Sequence, residues 1–365
     1  MIHTDAVVIG AGPTGLFQLF QLGLLGVKAH LIDVLPEVGG QCVALYPDKP
    51  IYDVPGLPCC SGRELTDRLL EQARPFLQVP EGAGPQQAAN LHLGHMVEAL
   101  QAHPDRGFEL RSQQGLAWHC RAVFIAAGAG AFVPRSINLP GLAEARNVHH
   151  HLPLPGGTGA PGPAPWQGQH LVIAGGGDEA LSAVLAVLGD DGVQGAPSQL
   201  TLLHRRDQFQ AEPALHDAVR ALLDQGRLKL AVGMPTACQI ENGQLRSLTL
   251  LGADEASHEL PLDHLLIRQG MSPKLGALTQ WGLALERKQV LVSPATFESS
   301  VPRIYAVGDI NTYPGKKRLL LCGFHEATLA AHHAATTLHP DGPSHLLYTT
   351  TSALLHERLG VTPRS

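Results

Sequence analysis

Two glycine-rich hexapeptides, Gly10-Ala11-Gly12-Pro13-Thr14-Gly15 and Gly175-Gly176-Gly177-Asp178-Glu179-Ala180, stand 165 residues apart in this 365-residue chain. Each follows a short apolar run, Asp5 to Ile9 for the first and His170 to Ala174 for the second. Each leads into a densely apolar segment, Leu16 to Leu25 and Ala180 to Leu188. Strand, glycine turn, helix is the unit that binds a dinucleotide. The glycines let the backbone N–H groups approach a pyrophosphate, and the positive end of the helix favours its charge. Two such units in one chain predict two nucleotide sites and electron transfer between them. The fold class expected is α/β, with two three-layer Rossmann-like domains.

The residues expected at the ribose ends differ. After the first loop, the run Ala29-His30-Leu31-Ile32 ends in Asp33, where a carboxylate can bond a ribose hydroxyl, as at the adenosine end of FAD or NAD. After the second, Leu200-Thr201-Leu202-Leu203 ends in His204-Arg205-Arg206. Two guanidiniums and an imidazole suit a ribose 2′-phosphate and leave a plain 2′-hydroxyl without its acceptor, so the second site reads as one for NADPH.

Composition narrows the class. The net charge of −6 offers no general attraction to nucleic acid. No run approaches the length of a membrane span, and the chain enters its first strand without a basic, apolar leader, so a cytoplasmic location is expected. The cysteines Cys42, Cys59, Cys60, Cys120, Cys238 and Cys322 show neither zinc-ligand spacing nor Cys-x-x-Cys, which reads as reduced thiols. Adjacent Cys59 and Cys60 could form only a strained ring. The clusters His149-His150-His151 and His332-His333 lack carboxylate or thiolate companions, and no metal is expected.

The domains read as discontinuous: 1–130 and 286–345 form the first nucleotide domain, 131–285 the second, and 346–365 a C-terminal extension. Arg63 to Phe76 and the alanine-rich Gly323 to Leu338 read as helices, and Pro153 to Gly168 as an irregular surface segment. The run Arg303 to Asp309 reads as a strand ending in Gly-Asp, which can set Asp309 on a polyol while the following helix start faces a group that becomes anionic. A flavin has both, in its ribityl chain and its N1/C2 edge.

The stretch Gly39 to Gly56 (GGQCVALYPDKPIYDVPG), together with AAGAGAFVPR at 126–135, GGGDEA, HRRD, Trp281-Gly282-Leu283, the Tyr305 to Asp309 strand and GFHEA at 323–327, resembles the ferredoxin (or flavodoxin)–NADP reductases of the thioredoxin-reductase-like type, in collinear order over nearly the whole chain. The resemblance implies FAD in the first domain and NADPH in the second. It implies FAD contacts at Gly10, Gly12, Thr14, Gly15, Asp33, Gln41, Val97, Phe132 and Asp309, with Asp33 a shorter arm than the usual Glu. It places Tyr46 on one face of the isoalloxazine. In the extension, where relatives often carry a His and a Ser/Thr run, it makes Tyr348 an aromatic lid and Thr350 a polar contact to FAD. Gly175, Gly177, Asp178, His204, Arg205 and Arg206 then hold NADPH. Glu179 stands where relatives often have Ser, putting a carboxylate near a phosphate unless the helix aims it away.

The chemistry so implied is hydride transfer from NADPH to flavin N5, then single electrons to an iron-sulfur or flavin protein, with a homodimer that exchanges its tails and a tail or domain movement as a gate. Lys316-Lys317-Arg318 reads either as a solvated turn or as a basic patch that steers an acidic ferredoxin. Two other classes compete. A thioredoxin-reductase-like disulfide reductase needs a cysteine pair in the NADPH domain, which this sequence lacks, and a non-catalytic FAD/NADPH sensor would bind both nucleotides without turnover.

Overall fold

A computed structural model describes the chain apart from residues 104–106, 151, 153–163, 190–195, 342–344 and 362–365; at 131–134 and 271–274 it describes the backbone alone. The chain divides into two compact units, residues 1–131 with 273–365, and residues 132–272. The second unit thus ends thirteen residues earlier than the 285 read from the sequence. Leu278, Trp281 and Leu283 belong to a core of the first unit, packed with Trp118 and Phe108.

The first unit is built on a five-stranded parallel sheet, in spatial order Ile304–Ala306, Ala122–Ile125, Ala6–Ile9, Ala29–Ile32, Leu91–His92. These strands are apolar nearly throughout because both faces are covered, as parallel sheets require. Alternate side chains divide between two cores. Ala6, Val8, Leu31, Phe124 and Tyr305 face one, which takes in the helices Pro13–Leu24, Gly62–Ala73 and Leu320–Leu338. Val7, Ile32, Val123, Ile125, Ile304 and Ala306 face the other, which takes in the four-stranded sheet of Ile2–His3, Ala117–Cys120, Gly107–Ser112 and Val97–His103. The helix Gly62–Ala73 opens on a capping box. Ser61 Oγ accepts the Glu64 N–H at 3.1 Å while Glu64 accepts the Ser61 N–H at 2.8 Å.

The second unit repeats the plan. Its parallel sheet runs Val148–His149, His264–Ile267, His170–Ala174, Gln199–His204, Lys229–Val232. The helices Asp178–Leu188 and Pro213–Asp224 share one core with it. The antiparallel meander Met234–Glu241, Gln244–Leu251, Ser257–Pro261 shares the other. Among the described residues no helix is long and apolar enough to cross a membrane.

Candidate functional site: two dinucleotide loops

In the first unit the glycine loop leads straight into the helix Pro13–Leu24, whose N-cap is Gly12. Pro13 occupies the first turn, where its missing N–H costs nothing. The position a Cβ at Gly12 would take has Gly40 Cα, at 3.8 Å, as its nearest neighbour, so the space over the helix start is open to a ligand. Gly15, one turn on, is different: a Cβ there would collide with the Gly10 carbonyl, so this glycine is demanded by helix-to-strand packing.

Asp33 ends its strand 8% exposed. Oδ2 accepts the Ala11 N–H and Oδ1 accepts the Leu35 N–H at 2.8 Å. Burial pushes its carboxyl above the usual value, opposed by the backbone N–H groups of Leu35, Ala11 and Val34. The shorter arm therefore folds back onto the glycine loop, and its remaining lone pairs are what a ribose hydroxyl could use. Val97 begins the strand after His95, whose N–H bonds the Asp33 carbonyl at 2.8 Å, so it lies at this same end.

Three distant segments meet at the other end of the loop. Thr14 fills the space that a side chain at Gly308 or Gly323 would need, which brings the Gly-Asp turn and the first turn of Leu320–Leu338 onto the fingerprint. The Gln41 amide lies against Gly128, with its Nε2 3.0 Å from where a Cβ would stand. Tyr46 shares a hydrogen bond of 3.5 Å with the Cys42 thiol. Its phenol is pushed well above the ordinary tyrosine value, mainly by burial and then by Cys42, with the Asp309 charge adding to the shift. Tyr46, Cys42 and Asp309 are thus close enough to feel one another. The Phe132 side chain lies outside the described residues.

The structure does not bring Tyr348 and Thr350 to this loop. The helix Ala353–Leu359 is tied to the opposite end of Pro13–Leu24, where Arg358 donates to the Leu24 carbonyl and its guanidinium sits beside Gly26. A twelve-residue helix is about 18 Å long. Tyr348 is 62% exposed, and the Tyr348 carbonyl accepts the N–H groups of Thr351 and Ser352 in a turn leading into that helix.

In the second unit the loop runs into Asp178–Leu188, with Gly177 as N-cap. The Gly177 Cβ position is again open, with the Gln210 carbonyl nearest at 3.6 Å. The His204 ring packs flat on Gly176, within 2.6 Å of where a side chain would begin. Burial and then the neighbouring Arg205 and Arg206 charges hold this imidazole below its ordinary value. Arg205 and Arg206 are exposed and, among the described residues, enter no ion pair. The following loop is anchored by Arg220, which pairs with Asp207 at 2.6 Å and lies over the Phe209 ring. Asp178 accepts the Glu212 N–H at 2.8 Å, tying that loop to the helix start.

Glu179 has a partner that sequence reasoning missed. Its carboxylate lies 3.7 Å from the guanidinium of Arg268, at the end of the adjoining strand, and Arg268 also donates to the His150 carbonyl at 3.0 Å. The added negative charge is thereby opposed within the second site.

Lys316, a candidate steering residue on sequence grounds, has a side chain only 7% exposed and ion-paired with Glu326, so it presents no free charge to a partner. Arg318 donates to Gln289 Oε1 at 3.0 Å. Of the three basic residues, Lys317 is left as an exposed charge with neither of these engagements. The signal in the sequence was Glu326 itself, an acid in the middle of an alanine-rich, buried helical face. Among the described residues no group of three or more His, Cys, Asp or Glu could hold a metal ion.

Two parallel-sheet units, each presenting a helix start through a glycine loop, define the class of two-nucleotide oxidoreductases. Residues 4–336 match the family model described as pyridine nucleotide-disulphide oxidoreductase. A protein named ferredoxin–NADP reductase in Paracidovorax citrulli is 50% identical, the match covering 99% of this chain and 97% of that one. One of the same name in Verminephrobacter eiseniae is 49% identical over 100% and 99%. The fold is shared with the bacillithiol disulfide reductase of Staphylococcus aureus (TM-score 0.59, 16% identity, 92% of this chain and 99% of that one). It is shared also with the thioredoxin reductase of Lactococcus lactis (0.53, 19%, 92% and 99%). The chain belongs to the pyridine nucleotide-disulphide oxidoreductase family and, within it, to the ferredoxin–NADP reductases.

Proposed function

We propose that this chain moves electrons between NADPH and ferredoxin or flavodoxin through a resident FAD in the first unit. The observation that carries this reading is the opposed chemistry of the two ribose ends: a buried carboxylate at Asp33 and two exposed guanidiniums, at Arg205 and Arg206, that enter no ion pair among the described residues. FAD supplies acceptance of a hydride and release of single electrons. The chain's own residues do the rest. Gly10, Gly12, Thr14 and Gly15 with the helix start receive the pyrophosphate and Asp33 a ribose hydroxyl. Gln41, Val97, Phe132 and Asp309 line the flavin nucleotide, and Tyr46 covers a ring face. Gly175, Gly177 and the second helix start take the pyrophosphate of NADPH, with Asp178 holding the loop and His204, Arg205 and Arg206 taking the 2′-phosphate.

The tail fits a homodimer. Anchored at the far end of Pro13–Leu24, Tyr348 and Thr350 serve the flavin of a second copy in this reading, not their own. The free thiols agree with a reducing, cytoplasmic setting. Disulfide reduction is disfavoured by a count: between 132 and 272 the sequence holds one cysteine, Cys238.

The test is to purify the protein, record its flavin spectrum, and follow reduction of cytochrome c by NADPH with and without ferredoxin or flavodoxin. Yellow protein whose turnover depends on the added carrier is expected. Nucleotide binding without turnover with any acceptor would establish the sensor reading instead.

A further inference from the structure

Beneath the Gly-Asp turn lies a buried ion pair that no step above uses. The Glu326 side chain is 0% exposed and that of Lys316 7%. The carboxylate collects four donors: Lys316 Nζ and Tyr313 Oη (3.0 Å) on Oε1, the Gly308 N–H (2.7 Å) and Asn311 Nδ2 (2.8 Å) on Oε2. Lys316 sends a second hydrogen bond, 2.9 Å, to the Gly308 carbonyl, which also takes the Asn311 N–H. Gln289 completes the enclosure by donating to the carbonyls of Asp309 (3.0 Å) and Asn311 (2.8 Å).

For stability alone such an arrangement is a poor choice, since a buried ion pair can often be replaced by apolar residues of similar size at no loss. What apolar residues could not do is grip both polar groups of one residue. The N–H of Gly308 is held by Glu326 and its C=O by Lys316. Across a trans peptide the C=O of one residue and the N–H of the next point in opposite directions. Drawing the Gly308 carbonyl onto Lys316 therefore turns the Asp309 N–H away from the ion pair. Gly308 holds φ +79 while leaning on Thr14, a conformation suited to glycine. The charge of the Asp309 side chain acts on Tyr46 and Cys42.

We infer that the Lys316–Glu326 pair is a positioning device that fixes the orientation of the Gly308–Asp309 peptide, and through it the grip on the ribityl side of the flavin. This rests on the FAD reading above. Both residues act on Gly308, Glu326 through its N–H and Lys316 through its C=O.

The decisive variant is the double K316M/E326Q, which removes both charges together and so leaves none buried without a partner. Three readouts are taken on the holoenzyme: the rate of FAD release, the flavin midpoint potential, and affinity for 2′,5′-ADP as a control on the second unit. FAD release faster by about tenfold or more, a shifted potential and unchanged 2′,5′-ADP affinity are expected. Release and potential equal to the parent's would overturn the inference and leave the pair a packing element. Should the double variant fail to fold, Y313F decides, because it removes one hydrogen bond from the same carboxylate. FAD release about two- to fivefold faster is expected, and an unchanged rate overturns the inference. A parent protein that binds no FAD would defeat the FAD reading, whereas a parent that holds FAD no better than its variants would defeat this one.

Discussion

The two units share one plan and differ in how committed their polar groups are before any nucleotide arrives. In the first, Asp33 is buried with both oxygens bonded to backbone N–H groups, and the carbonyls around Asp309 are held by Lys316, Asn311 and Gln289. In the second, Arg205 and Arg206 are exposed and, among the described residues, enter no ion pair. A site whose groups are fixed in advance loses little entropy on binding and can retain its ligand, while long, exposed side chains must be ordered each time. The contrast matches a cofactor that stays and a substrate that exchanges.

The sharpest way to break the comparison is at the equivalent glycines. Gly12→Ala and Gly177→Ala place a methyl over each helix start without meeting protein closer than 3.6 Å. Both variants should fold, the first emerging without FAD and the second flavin-loaded but with NADPH affinity reduced about a hundredfold or more. Gly15→Ala, by contrast, should fail to accumulate as folded protein, because its Cβ meets the Gly10 carbonyl. Absorbance of the purified variants and NADPH titration distinguish these outcomes.

Next in size is the double change R205S/R206S. Charge-assisted hydrogen bonds contribute about 1.5–3 kcal/mol each, so losing even one of them should raise the KM for NADPH by about one to two orders of magnitude, and the double change by at least that. The KM for NADH should barely move and FAD content should be intact. Equal effects on the two nucleotides would place the 2′-phosphate elsewhere. A smaller change is expected for Glu179→Ser, which removes a carboxylate that Arg268 opposes only at 3.7 Å. NADPH should bind about two- to threefold more tightly, and a weaker KM would show that the ion pair organises the loop.

The smallest effect concerns acid. Each sheet carries a histidine pair across neighbouring strands, His30–His92 at 2.8 Å and His149–His264 at 3.0 Å. Burial lowers all four, and His92 falls from 6.5 to about 4, through burial and then the neighbouring His30 and His95. A depressed imidazole is neutral when folded, so its contribution is whole above pH 6.5 and lost as pH falls from there towards about 4. The melting temperature should drop between pH 7 and 5, and His92→Asn should make that slope shallower. An unchanged slope would remove His92 from the acid response.

Much of this was legible in the sequence because it is local. A glycine loop between an apolar strand and an apolar helix needs only a dozen residues to declare itself, and Asp33 and His204 to Arg206 follow at the ends of the next strands. What was not legible depends on folding distant segments together. The Lys316–Glu326 pair joins a turn to a helix face, and Lys316 reads as a surface cation until its partner is seen at 0% exposure. Arg268 and Glu179 are separated by six strands and a helix in sequence, so their pairing carries no local pattern. The return to the first unit at 273 was hidden for the same reason: Leu278 and Trp281 show their allegiance only in the core they join.

The most direct measurement is anaerobic addition of NADPH, and separately NADH, to the protein as purified, watching the flavin absorbance. One FAD per chain, retained through gel filtration and bleached far faster by NADPH than by NADH, is the predicted result. A colourless protein, or bleaching at the same rate by both nucleotides, would contradict the assignment of a retained flavin to the first unit and a phosphate-selective nicotinamide site to the second.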